Sequence, residues 1–129
     1  MFYAWPITVA AENDASNPAE ITMPMSAGVI HQVDVLFPIN SNNYIHVQVF
    51  DASLQLWPTN RNGTIRGNAS VISFRDFYEM KTDNNTLKGL AWWEDVETTN
   101  TIIIQVGVLN RAILQPFSLA ELLRAVQRG

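Results

Sequence analysis

The chain contains no cysteine. Disulfides, thiolate nucleophiles and cysteine metal sites are excluded together, while the redox compartment stays undetermined. Basic residues are scarce: eight Lys and Arg, dispersed along 129 residues, stand against twelve Asp and Glu for a net charge of −4. A polyanion finds no electrostatic footprint on such a chain, so nucleic acid is not an expected partner. Long apolar runs are missing as well, since no stretch approaches the ~20 residues of a membrane span. The start "MFYAWPITVAAEND" has none of the basic head, long apolar centre and small-residue cleavage site of a secretory signal. Neither a membrane partner nor targeting is expected. What is present is a 47% hydrophobic, 16% charged composition, that of a folded chain, at a length that suits one domain.

Most of the chain reads as strands and turns. In "VIHQVDVLF", Val29, His31, Val33, Val35 and Phe37 share one parity and are expected to face inward. Pro38 stops this strand, "NSNN" turns the chain, and "YIHVQVF" resumes with Ile45, Val47 and Val49 on one side, which reads as a hairpin. "LQLW" ends at Pro58, and "TNRNGTIRGN" reads as a loop holding at most a short strand. "SVISFRDF" is a further strand, "MKTDNNT" a polar turn before "LKGLAWWED", and "NTIIIQVGVL" sets Ile102, Ile104, Val106 and Val108 on one face. Short strands at close spacing, with no helical crossovers, predict an all-β fold: an antiparallel β-barrel or β-sandwich, jelly-roll-like.

Two segments are expected outside this body. Residues 1–28 read as an N-terminal arm and linker, because the polar bridge "AENDASNPAE" separates an aromatic-rich start from the strands. Residues 29–112 form the body. Residues 113–129 carry a short amphipathic helix, with Ser118 and Glu121 as a capping box and Leu119, Leu122, Leu123 and Val126 on one face. A helix this short is marginal alone and needs a surface, either on its own body or on a neighbour. Phe2, Tyr3, Trp5 and Ile7 at the other end suit contact with another subunit.

Catalytic constellations are weak. His31 and His46 fall on opposed parities of their strands, and no short-spaced ligand pair accompanies them, so neither a metal site nor a cofactor is expected. No G-x-S-x-G surrounds any serine, and no local histidine and carboxylate join Ser70 or Ser73. Glu94, Asp95 and Glu97 cluster after Trp93, as acids in a solvated turn do; glycosidase chemistry would need two of them held across a cleft. Trp92 and Trp93 must point to opposite faces, so one fills the core while the other stands outside for a partner or a ligand; Trp57 is a further candidate for such a contact. The sequons at Asn62, Asn68 and Asn84 read as Asn-rich turns.

The order "VIHQVDVLFP", "YIHVQVFDASLQLWPTN", "IRGNASVISF" and "TIIIQVGVL", with Phe37-Pro38, Trp57-Pro58 and Gly67-Asn68 among its strands, resembles the small trimeric β-barrel decoration (cement) proteins of tailed-phage heads. The likeness spans roughly Val29 to Leu109. It implies a homotrimer on the capsid surface of a virion, bound to the major capsid protein, with the arm and the terminal helix as clamps. The expected function is therefore a structural virion protein and not an enzyme. The alternative is a carbohydrate-binding β-sandwich, such as a fibre tip, that uses exposed tryptophans.

Overall fold

The computed structural model describes residues 1–81, 85–94 and 99–110. Eight strands occupy them: β1 (Phe2–Val9), β2 (Ala19–Met25), β3 (Gly28–Phe37), β4 (Ile45–Asp51), β5 (Leu54–Trp57), β6 (Ser70–Met80), β7 (Asn85–Trp93) and β8 (Asn100–Leu109). They form two four-stranded antiparallel sheets, ordered β1-β8-β3-β6 and β2-β7-β4-β5. The fold is thus all-β, as expected, but the sheets do not close into a barrel; they face each other across one core in a sandwich-like arrangement. The expected helix at 113–129 lies outside the described residues.

Strict alternation builds the core. Ile102, Ile104, Val106 and Val108 of β8 belong to one core cluster with Ile45, Val47 and Val49 of β4, all fully buried. The edge between β5 and β6 is closed by side chains of opposite sheets. Trp57 Nε1 donates to Asp76 Oδ2 at 2.8 Å, its indole meets Phe74 edge-on, and the Tyr78 hydroxyl donates to Asp51.

Three expectations are corrected. The segment 1–28 is not an arm: β1 pairs along its whole length with β8, β2 pairs with β7, and Ile7, Val9, Met23 and Met25 are core residues. The body therefore begins at Phe2, not at residue 29. Pro6 and Pro24 are tolerated because β1 and β2 are both edge strands, where a missing N–H breaks no ladder. The polar bridge between them is an ordered turn in which Asn13 accepts from the Ala10 amide and donates to the Asn17 carbonyl.

The second correction concerns the supposed hairpin of β3 and β4, which lie in different sheets. The link between them crosses the sandwich. Asn40, Asn42 and Asn43 take positive φ of 70°, 52° and 62°, and buried Ser41 donates its hydroxyl to the Pro38 and Gly67 carbonyls. A tight two-stranded turn is replaced by a coil pinned to the start of β6.

The third concerns which side chains of β3 face inward. The register breaks between Ile30 and Gln32 against both neighbours, so His31 and Gln32 together oppose Gly107. Such a bulge switches parity. Ile30 faces the core before it and Val33, Val35 and Phe37 after it, while Val29 and His31 are only half-buried. The bulge is seated on Gly107, where any Cβ would come within 2.9 Å of the His31 ring.

Candidate functional site

Two regions concentrate chemistry that the core does not use. The first is the outer face of the β1-β8-β3-β6 sheet. Cross-strand register aligns Pro6 with Ile103, Ile103 with Leu36, and Leu36 with Val71, so one apolar row runs across all four strands. Pro6 and Val71 are exposed and Leu36 and Ile103 half-buried. Beside it lies a polar row of Gln105, Asp34 and Ser73, with Ala4 at its β1 end. Beyond that, near the bulge, Phe2 packs edge-on to His31, and Phe77 stands 75% exposed on β6. Alternating strands that bury one face put polar residues on the other; an apolar row on the outward face departs from that pattern.

The second region is a cleft on the outer face of the other sheet. His46 of β4 and Trp92 of β7 are direct cross-strand partners, and their rings stack 5.5 Å apart and 4° from parallel. The imidazole is fixed at both nitrogens: Nδ1 lies 2.6 Å from the Thr64 hydroxyl and Nε2 3.1 Å from Glu94 Oε2. Arg66 reaches the same carboxylate oxygen at 2.7 Å through Nη2, while its Nε donates to the Asn43 carbonyl. The opposite wall is the turn Asp14 to Ser16. The Trp93 amide donates to the Asn13 carbonyl at 2.9 Å, which fastens that turn to the end of β7. Asp14, Ala15, Ser16, His46, Trp92, Trp93 and Glu94 line an open depression of about 390 Å³. The Ser16 hydroxyl, followed by the Asn17 and Ser16 amides, hydrogen-bonds Asp14 and holds its carboxyl below the usual carboxylate range.

The residues singled out in the sequence fall unevenly. Trp92 and Trp93 do divide between outside and core; Trp93 is buried, with Nε1 directed at the Val9 carbonyl. Trp57 is buried too, so neither Trp57 nor Trp93 can serve as an exposed platform, and Trp92 alone of the three remains. Phe2 is exposed, Tyr3 and Trp5 stack on each other at the sandwich rim, and Ile7 is core. The Trp5 indole N–H is buried with no hydrogen-bond partner among the described residues. Leu119, Leu122, Leu123 and Val126 lie outside the described residues, as do Asp95, Glu97 and Asn84. Asn62 adopts a positive φ of 65°, in keeping with turn chemistry at its sequon.

His31 and His46 sit on different sheets, and among the described residues no three His, Asp or Glu side chains converge to hold a metal ion. Among the described residues, Glu94 is paired with the Arg66 cation and with no second carboxylate. Sequence reasoning missed Asp14, Ser16, Thr64 and Arg66. A signal existed for the stack alone, since His46 and Trp92 each lie opposite the apolar parity of their strands. No protein-family profile, curated protein or solved structure matches this chain.

Proposed function

We propose that this chain is a non-enzymatic building block of a protein shell, a structural virion protein that binds a phage capsid surface as a closed homo-oligomer. Its strand pairing supports this reading. The first strand pairs with the last, the second with the seventh, the third with the sixth and the fourth with the fifth. That nested order is the eight-stranded jelly roll, a form used by viral capsid and lectin domains alike. A fold does not choose between those roles; a surface does.

The observation that carries the choice is the apolar row of Pro6, Ile103, Leu36 and Val71 on the outward face of the first sheet. Covering such side chains contributes about 1.5–3 kcal/mol for each one fully buried. A second copy, or the major capsid protein, supplies the cover. The trimer expected from the decoration-protein resemblance is one closed arrangement of this kind.

Ile103→Arg tests the idea, because residue 103 points away from the core and an isolated charge in a dry interface is costly. The variant keeps the stability of the unsubstituted chain yet associates at least tenfold more weakly, about 1.4 kcal/mol, by sedimentation velocity. Undiminished association of the folded variant would remove this face from the assembly.

A further inference from the structure

The cleft around Trp92 is independent of the outer face of the other sheet and has a different chemistry. We infer that it is a binding subsite for a neutral saccharide, with Trp92 as the stacking platform and Asp14, Ser16 and Glu94 as the hydroxyl-binding groups. Four features of the cleft support the assignment.

The first is shape. An open depression of about 390 Å³ has room for one sugar ring lying against its floor, and its walls are tied down before anything binds. The Asn13 carbonyl and the Trp93 amide fix the turn, Thr64 and Glu94 fix the imidazole, and the imidazole fixes the indole. Little ordering entropy then remains to be lost on binding.

The second is the aromatic surface. A pyranose ring has one face of C–H groups and a rim of hydroxyls, so it needs a flat apolar plate bordered by acceptors. Trp92, half-buried and rigidly stacked, is such a plate.

The third is the supply of acceptors. Asp14 receives Ser16 and Asn17 on Oδ1, and Glu94 receives His46 and Arg66 on Oε2. Those contacts converge on one oxygen of each carboxylate, which leaves acceptor capacity for a ligand hydroxyl, and hydrogen bonds to a charged acceptor are the stronger kind.

The fourth is charge. Arg66 pairs with Glu94 behind the lining, while the Asp14 carboxylate disfavours an anionic ligand. A neutral polyol is compatible with this charge, and a cation is the rival that the test below includes.

The probe is an array of immobilised oligosaccharides, followed by calorimetric titration of the full chain with any sugar that binds. Binding to at least one neutral saccharide is expected, weakened more than tenfold in Trp92→Ala and in Asp14→Asn. Ala15→Trp provides a variant that fills the cleft from an exposed position without touching the core, and it too should lose binding while keeping the unfolding midpoint. An array with no binder, binding that survives Ala15→Trp, or preferential binding of tetramethylammonium over every sugar would each overturn the assignment. None of these outcomes bears on self-association through the other sheet, which is read from sedimentation.

Discussion

Tyr3 and Tyr78 carry the same side chain and are driven in opposite directions by where they sit. The Tyr78 phenol is pushed up to about 12, first by burial and then by its hydrogen bond to Asp51 and the charge of that carboxylate. Hydrogen bonding from Ser26 holds Tyr3 below the ordinary phenol value. Tyr3 should therefore ionise before Tyr78 in a spectrophotometric titration. The consequence for stability follows the sign of each shift. A folded pKa raised above the unfolded one contributes stability that is complete below about 10 and is lost as pH climbs through about 12. Alkaline unfolding midpoints should thus fall across that window, and Tyr78→Phe, which cannot ionise, should flatten the fall. An equally steep fall in the variant would contradict the role given to the Tyr78–Asp51 contact. That contact matters because it joins β6 of one sheet to the end of β4 in the other, alongside the Trp57–Asp76 hydrogen bond.

At the level of the element, β1 is the most informative piece. Had it been an arm, truncating Ile7 would leave the fold untouched. As a strand whose Ile7 is 2% exposed between the sheets, it should lose roughly 2–5 kcal/mol on Ile7→Ala. Urea denaturation of the unassembled chain measures this directly, and a change near zero would restore the arm.

The misreading has a physical source. The polar bridge set the aromatic-rich start apart from the strands, and a polar link between two edge strands produces the same pattern. Alternation in β4 and β8 was legible because both strands sit inside a sheet with an apolar inner face and hold one parity from Ile45 to Val49 and from Ile102 to Val108. In β3 it failed at His31. A bulge is decided by partner strands, here β8 and β6, and local sequence does not contain them. The hairpin of β3 and β4 failed for the same reason: a turn-rich link reports that the chain bends, not which sheet it enters. The cleft was legible only as two outward side chains. The contact of His46 with Glu94, 48 residues away, and the wall at Asp14 depend on topology.

For the whole molecule, the two sheets divide their outer faces between different chemistries. One carries the apolar row, with Val71 54% exposed, and beyond it Phe77, 75% exposed; the other carries the Trp92 cleft and, farther along β7, the Lys88–Glu20 pair. A module of this kind can attach through one face and present the other. Attachment requires that the apolar face be covered in the native assembly. The native mass across a concentration series, by sedimentation equilibrium, tests this most directly. Self-association predicts a mass that is a whole multiple of the 14.5 kDa chain and reverts to the single chain on Ile103→Arg. A single-chain mass at every concentration, with or without the substitution, would contradict it.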